Sequence, residues 1–516
     1  MRTDQSTAIP LEYSTSAPNT RRRYITAALM LVMVLASMEM TVTSTAMPTI
    51  IGDLHGLEHY SWVASIYLLA MTITMPLYGR LADALGRKRV IVFAIVLFCV
   101  ASVLCSFAQT MIQLVIYRGI QGLAAGGIMP IVLTILGDIF TLEERARIQG
   151  LFSSIWGTAA LAGPALGAFL VHSFGWRSVF FVNLPFGLLG LCMLIWAYHD
   201  REKPHSTDLD LPGVVSLGIG CLALLALVSR LGPGGWGWQI SALLVMSALA
   251  SLAWFVRHEQ SAANPVMPAN FLRDRAIGPA IAGTFIFGIG FLSLDTYVPL
   301  YVQGGRGGGA AAAAGVVTPI MLTWACSGLL AAPLIVKWGF RKTALLGTAL
   351  IAIGFIGLFI GAIVDAPKWV LTLILLLTGA GFGPSSMAYL LAAQDAVSWQ
   401  QRGGVTGTIS FFRSIGGSLG VGLMGALFNI LSARDMNSFR AAGITPSELL
   451  DPRKLEALSP QNLVSVQHTI ASSLTWVFGA MVLVALAGIV VTSMMQQRSK
   501  PDHEISRSEG LEAMAV

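Results

Sequence analysis

The chain has 516 residues, of which 55% are hydrophobic and 11% are charged, and its mean hydropathy is +0.72. Soluble domains carry about 25% charged residues, so this composition excludes a soluble globular protein and predicts an all-α polytopic membrane protein. The net charge of +6 does not indicate a nucleic-acid-binding protein, because the basic residues are scattered rather than gathered on one face. The five cysteines lie in apolar runs without metal-binding or disulfide spacing, so we expect no metal site and no cofactor.

Apolar segments recur along the whole chain, and we interpret fourteen of them as membrane-spanning helices. The predicted helices cover residues 24–51, 60–81, 89–108, 111–139, 148–172, 178–198, 211–230, 238–257, 276–302, 312–336, 343–364, 368–393, 405–431 and 469–494. Because the number is even, both termini lie on one side of the membrane. Lys and Arg are concentrated in the connections on that side, which predicts that both termini are cytoplasmic.

The first predicted helix contains a glutamate, Glu39, about midway along its apolar stretch. The hydrocarbon core of a bilayer is about 30 Å thick and a helix rises about 1.5 Å per residue, so this carboxyl group falls well inside the core. An ionisable side chain at that depth costs several kcal/mol and indicates a functional site by default. We therefore predict that Glu39 carries protons or binds cations.

The strongest local motif lies between the second and third predicted helices. Gly79 and Gly86 permit a tight cytoplasmic turn, and Arg87 and Lys88 hold that turn in the cytosol. Asp83 can cap or face the N-terminus of the third helix and pair with a basic residue of the other half. The basic residues by themselves could serve only to orient the chain, but the complete pattern indicates a conformational role.

Three further charges lie within predicted helices and are candidates for proton coupling: Arg118, Asp295 and Arg413. The guanidinium group of Arg118 needs an acid, a carbonyl or water, so both Glu39 and helix-end carbonyls remain open as its partner. Asp295 is either the counterpart of Glu39 in a repeated half or a side chain that reaches water near the outer end of its helix. Arg413 is either part of the proton pathway or a structural ion pair.

The fifth predicted helix carries a run of small residues with one proline. Gly157, Gly163 and Gly167 allow a neighbouring helix to approach closely, and Pro164 can bend the helix. Such spacing alone usually indicates packing only.

The sequence repeats itself, which indicates two duplicated halves. The repeated residues are Gly126, Asp138, Arg145 and Gly150, matched at constant spacing by Gly383, Asp395, Arg402 and Gly407. We therefore divide the chain into an N-terminal tail (1–23), a six-helix bundle (24–198), a linker with two inserted helices (199–275), a second six-helix bundle (276–494) and a C-terminal tail (495–516). Asp138 and Arg145 border a predicted cytoplasmic connection, and we expect them to form a gate or latch.

These motifs together resemble the major facilitator superfamily. The stretch around Glu39 is similar to the first-helix motif of its fourteen-span drug:proton antiporter branch, in which an aspartate stands at that position. The stretches around Asn183 and Arg413 resemble the same branch, and in this family the glycine–proline pattern of the fifth helix accompanies export. The resemblance implies two pseudo-symmetric six-helix bundles with two inserted helices, and a monomer in a plasma membrane such as the bacterial inner membrane.

The predicted function is proton-coupled export, by antiport and alternating access, of amphipathic and cationic drug-like molecules. Glu39 would exchange protons, and Asp83 with Arg145 would stabilise a closed cytoplasmic face. An exporter of lipid or of another hydrophobic metabolite remains open, since the predicted outer loop 432–468 is long. A membrane-embedded enzyme or a receptor is the third reading, and no catalytic motif supports an enzyme. The expected partners are a small-molecule substrate, protons and the lipid bilayer.

Overall fold

The computed structural model describes residues 19–54, 60–140, 142–200, 210–229, 237–262, 264–307, 310–432 and 460–496, and its regular elements are all helical over these ranges. The helices are α1 (Asn19–Leu54), α2 (Tyr60–Leu85), α3 (Arg87–Ser106), α4 (Met111–Ile139), α5 (Leu142–Phe174), α6 (Ser178–Phe181), α7 (Asn183–Ala197), α8 (Leu211–Ser229), α9 (Trp238–Ser261), α10 (Ala269–Arg273), α11 (Ile277–Leu300), α12 (Ala310–Ile363), α13 (Lys368–Asp395), α14 (Arg402–Ser432) and α15 (Pro460–Ser493). A π-helical turn (Tyr301–Gly305) follows α11, and a 3-10 turn (Trp399–Gln401) precedes α14.

Within the described ranges, eleven helical segments are long and apolar enough to cross a membrane. Lipid offers no hydrogen-bond partner to the backbone, so apolar sequence at this depth adopts helices that satisfy their own amides and carbonyls. The predicted all-helical class is therefore confirmed, and the chain is a multi-pass membrane protein.

Several helix boundaries differ from the predicted ones. The predicted helices 312–336 and 343–364 correspond to the two lengths of α12, which a kink at Gly339 separates, where φ is 79° and ψ is 172°. Glycine reaches this left-handed region without a steric penalty, so the first length ends there and the second begins directly after it. The predicted outer loop 432–468 is shorter than expected because α15 begins at Pro460, and residues 433–459 lie outside the described part of the chain.

Buried apolar side chains form separate clusters along the chain. One cluster draws its buried members from residues 25–198, and another draws nearly all of its members from residues 271–495. A smaller cluster joins elements from both parts, since it contains Met75 of α2, Phe411 of α14 and Leu217 of α8. The inserted helix α8 therefore lies over the line along which α2 and α14 meet.

Helix pairs in the first half approach closely at glycines. A Cβ atom built on Gly126 of α4 would lie 2.1 Å from the Oγ1 atom of Thr74 and 2.5 Å from the carbonyl oxygen of Met71, both on α2. These distances are shorter than any van der Waals contact, so the spacing of α2 and α4 depends on the missing side chain.

We predict that Gly126→Ala destabilises the protein because the added methyl group must displace α2, an effect of about 1–3 kcal/mol for overpacking. Thermal unfolding of the purified protein in detergent measures the effect. Gly315→Ala on α12 is the matched control, since nothing lies within 4 Å of its Cβ position and alanine favours a helix. Equal melting temperatures for the two variants would contradict the close-packing argument.

Candidate functional site

The carboxyl group of Glu39 lies inside the first half of the molecule, with none of its side-chain surface exposed. Around it, α4 and α7 bring the polar side chains of Arg118 and Asn183 to the carboxyl group, and α2 supplies a backbone carbonyl to Arg118. A carboxylate at this position has no access to water, so its charge depends on protein donors alone.

Arg118 of α4 supplies the compensating charge. Its Nη1 atom donates a hydrogen bond to Glu39 Oε1, and only 2% of the arginine side chain is exposed. The structure thereby answers the choice left open by the sequence, since the main partner is the acid rather than a helix-end carbonyl. A weaker contact does reach a carbonyl, because Arg118 Nε lies 3.4 Å from the Val63 oxygen.

The second carboxylate oxygen of Glu39 has its own donor. Asn183, at the start of α7, donates its side-chain amide to Glu39 Oε2, while Thr43 Oγ1 donates to Oε1 at 3.0 Å. The network continues from Arg118 to Gln121 Oε1 at 2.7 Å, and from Gln121 Nε2 to Ser102 at 2.8 Å. Both oxygens are thus satisfied by protein groups.

An aromatic ring encloses the pair on one side. The guanidinium carbon of Arg118 lies 4.3 Å from the centre of the Tyr67 ring, a distance at which a cation–π contact is favourable. Tyr67 is itself buried at 1% exposure, so the ring separates the ion pair from any space beyond α2. Protonation of Glu39 would remove one of the two charges and leave an unpaired guanidinium. The ion pair therefore joins α1 to α4.

Helix α5 packs directly on the stretch of α1 that follows Glu39. A Cβ atom on Gly163 would lie 2.0 Å from Thr41 Oγ1, and one on Gly167 would lie 2.0 Å from Thr45 Oγ1. The small residues predicted in the fifth helix therefore contact the helix that carries the acid. The surroundings of Gly157 and the side chain of Pro164 lie outside the described part of the structure.

A second group of charges lies at the predicted cytoplasmic end, where α2 meets α14. Asp83 accepts hydrogen bonds from the backbone amides of Gly403 at 2.9 Å and Gly404 at 2.6 Å. These amides belong to the first turn of α14, where the helix carries a partial positive charge. The two helices also touch through backbone, since a Cβ atom on Gly79 would lie 2.3 Å from the Gly403 oxygen.

Arg87 links Asp83 to its surroundings. Its Nη2 atom donates to Asp83 Oδ1 and to the Trp399 carbonyl, both at 3.0 Å, and its guanidinium carbon lies 3.9 Å from the Trp399 ring centre. Its Nε atom lies 3.2 Å from Asp138, which in turn faces Arg402 at 3.7 Å. We call this set of residues the latch: Asp83, Arg87, Asp138, Trp399 and Arg402.

One prediction about this region is corrected, and another concerns a side chain outside the described residues. Asp83 pairs with Arg87, the first residue of α3, but it does not bind the N-terminal amides of that helix. Asp200 does so instead, and accepts from the Lys88 backbone amide at 3.1 Å. Gly86, with φ of 92°, leaves room for the Asp200 carboxylate, and Lys88 Nζ donates to a carbonyl of α7. The predicted partner Arg145 has a side chain outside the described residues.

The other two candidate charges do not join Glu39. Asp295 lies on α11 and Arg413 on α14, and neither side chain makes a hydrogen bond or ion pair with a described residue. The sequence predicts that Asp295 and Arg413 lie within spans, but it does not show that they are apart from the Glu39 site. Across the described residues there is also no group of three His, Cys, Asp or Glu side chains that could hold a metal.

Sequence reasoning missed several residues of both groups as site residues. Asn183 was noted only for its resemblance to the antiporter branch, although a polar amide in an apolar span is itself a signal. Tyr67, Trp399 and Asp200 carry no such signal, because their contacts depend on segments far apart in the sequence.

Comparison with known proteins decides the family. The sequence profile of the Major Facilitator Superfamily matches residues 29–421. The chain belongs to this superfamily. Among curated relatives, it is 32% identical to the multidrug transporter protein MdtP of Bacillus subtilis over 82% of this chain and 78% of that protein. It is 29% identical to multidrug resistance protein 3 of the same organism, over 96% and 99% of the two chains.

Solved members of the Major Facilitator Superfamily share the fold at low sequence identity. The human organic anion transporter MFSD10 superposes with a TM-score of 0.59 at 15% identity, over 91% of this chain and all of that one. The proton:xylose symporter XylE superposes with a TM-score of 0.58 at 16% identity, over 90% and 95%. At these identities the likeness concerns the fold alone. The confirmed family comprises transporters of small molecules and indicates no enzyme.

We predict that Arg118→Ala lowers stability strongly, because it leaves the Glu39 carboxylate buried without its counter-charge. Breaking a buried pair on one side costs about 3–5 kcal/mol. The double variant Glu39→Gln with Arg118→Gln should be markedly more stable than Arg118→Ala, since it contains no unpaired charge. Thermal unfolding in detergent compares the variants, and equal losses in both would contradict the pairing.

We predict that Asp83→Asn weakens the latch, because hydrogen bonds to a charged acceptor contribute about 1.5–3 kcal/mol and a neutral amide accepts more weakly. Spin labels at Leu85 and Gln401, measured by double electron–electron resonance, report the separation of the two sides at this end. The variant should show a larger population with the labels far apart. Arg89→Gln, an exposed neighbour, is the control, and an unchanged distance distribution in Asp83→Asn would refute a stabilising role.

Proposed function

We propose that this member of the Major Facilitator Superfamily is a proton-coupled antiporter that exports amphipathic, cationic drug-like molecules by alternating access. The observation that carries the proposal is the buried pair of Glu39 and Arg118, satisfied on every side by protein donors. A charged pair in hydrocarbon is energetically costly, so its presence indicates a function. Proton exchange at a carboxylate is the simplest such function.

The proposed coupling uses the dependence of helix packing on the charge of Glu39. When the carboxylate is ionised, it holds α1, α4 and α7 together through Arg118 and Asn183. When it is protonated, these contacts weaken and the helices are free to rearrange around the central space. Each conformation thus prefers one protonation state, so proton binding and substrate binding are linked reciprocally.

The latch supports a cycle between two conformations. It joins α2 and α4 of the first half to α14 of the second half through Asp83, Asp138 and Arg402. We infer that these contacts hold the cytoplasmic face closed, as in an outward-directed or occluded state. These contacts are hydrogen bonds to backbone amides and ion pairs between side chains at helix ends. Such contacts can break and re-form during transport.

Similarity to relatives named as multidrug transporters supports a drug-like substrate. The lipid-export alternative gains no support from these relatives. The predicted long outer loop that kept it open is partly helical, because α15 begins at Pro460.

We further propose the topology and the location implied by the antiporter branch. The chain would have fourteen spans, formed by the halves 24–198 and 276–494 and by the inserted pair α8–α9, with both termini in the cytoplasm. The protein would act as a monomer in a bacterial inner membrane. The turn at Gly339 supports the count, since it divides the long α12 into two lengths that could each span a bilayer.

The test is transport in proteoliposomes that contain either wild type or Glu39→Gln. Glutamine keeps the shape and the hydrogen-bonding capacity of the side chain but cannot titrate. We predict that the variant loses substrate movement driven by a pH gradient, by a factor of at least about 100, while substrate exchange at equal pH persists. Substrate-induced proton release by the purified protein should disappear in parallel.

Glu144→Gln is the matched control, because Glu144 is an exposed carboxylate at the start of α5 whose removal should leave both activities unchanged. Full gradient-driven transport by Glu39→Gln would remove Glu39 from the coupling mechanism.

A further inference from the structure

Asp295 and Arg413 lie within α11 and α14 and make no ion pair with a described residue, and α11 is otherwise enclosed. Along the whole of α11, from Ile277 to Leu300, only Asp295 and Thr296 are exposed. A helix at the lipid boundary instead exposes a continuous stripe, as α9 does with many apolar side chains. An isolated exposed position on a buried helix therefore indicates an opening inside the bundle.

The surroundings of Asp295 and Arg413 support the same conclusion. Protein atoms enclose both side chains, although Asp295 is accessible at its surface and Arg413 is partly accessible. A side chain that is enclosed and yet accessible lines an internal cavity, whereas a lipid-facing side chain has little protein around it.

Helix geometry places the two charges along one side of that opening. A Cβ atom on Gly288 of α11 would lie 2.1 Å from the Arg413 carbonyl oxygen, so α11 and α14 touch at this level. Asp295 follows Gly288 by seven residues, which is two helical turns on the same face and about 10 Å along the axis. The backbone positions of the acid and the base therefore lie about two helical turns apart along the line where α11 and α14 meet.

Aromatic rings stand on the adjoining flank of α11. Phe291 lies one turn before Asp295, and its ring centre is 4.8 Å from that of Trp324. Phe412 is adjacent to Arg413 in sequence, and its ring lies 6.3 Å from that of Phe285. The wall thus combines one negative charge, one positive charge and aromatic surface, which is the composition of a site for a charged aromatic ligand.

We propose that Asp295 and Arg413 are substrate-binding residues, and that the preferred substrate is a zwitterionic aromatic amphiphile. Its cationic group binds Asp295, its anionic group binds Arg413, and its apolar body contacts the aromatic rings. This proposal rests on the proposed transport function and replaces proton coupling as the role of these two residues. The contrast with Glu39 and Arg118 supports it, since that pair satisfies itself and leaves no charge for a ligand.

The experiment uses two probes with the same ring system: a rhodamine free acid, which is zwitterionic, and its methyl ester, which keeps the cation and lacks the anion. Fluorescence titration of the full-length protein in lipid nanodiscs gives a Kd for each dye. We expect wild type to bind the free acid at least about tenfold more tightly. Arg413→Gln should abolish that preference and leave the ester Kd unchanged, whereas Asp295→Asn should weaken both dyes about tenfold.

Lys368→Gln is the charge-matched control, because Lys368 is exposed at the start of α13, away from α11 and α14 contacts. Equal affinity of wild type for the two dyes, equal effects of Arg413→Gln on both, or no binding of either dye would overturn the proposal. Proton release on addition of the ester, measured in wild type and Glu39→Gln, separates the two hypotheses. Coupled release without a preference for the zwitterion would refute this site and leave the proposed antiport intact.

Discussion

The absence of water in the bilayer core is the constraint on which this structure depends. A charge placed there needs a partner within the protein or a water-filled cavity, and in the first half Glu39 finds its partners in Arg118 and Asn183. The pair is fully enclosed, so its charges hold together three helices that are distant in sequence. Removal of either charge would leave the other buried without its partner, which is not the case for an exposed carboxylate.

The same constraint explains how the two halves meet. Apolar surfaces gain little from association in lipid, so the helices approach through glycines and through polar contacts at their ends. Gly79 and Gly403 bring the α2 and α14 backbones together, and Asp83 binds the first amides of α14. The inserted helix α8 covers this line of contact, and Val228 reaches Gly422 of α14. An insertion in the sequence thus becomes part of the packing between halves.

The candidate site could be predicted in part from the sequence. Glu39 and Arg118 stood out because a charge in an apolar run is improbable without a partner, and helical rise put both at similar depth. The geometry of the latch could not be predicted in the same way. Asp83 was predicted to pair with a basic residue of the other half, but its partners there are the backbone amides of Gly403 and Gly404, more than three hundred residues away. Local sequence carries no information on which distant amides a carboxylate will reach.

The sequence by itself determined the class of the protein, the positions of most helices and the identity of the central acid, because hydropathy and helical rise are local properties. The tertiary structure alone decided which charges are paired. Glu39 and Arg118 satisfy each other, while Asp295 and Arg413, equally prominent in the sequence, line an opening without a partner. Pairing depends on how helices rotate and cross, and those angles are set by contacts summed over the whole bundle.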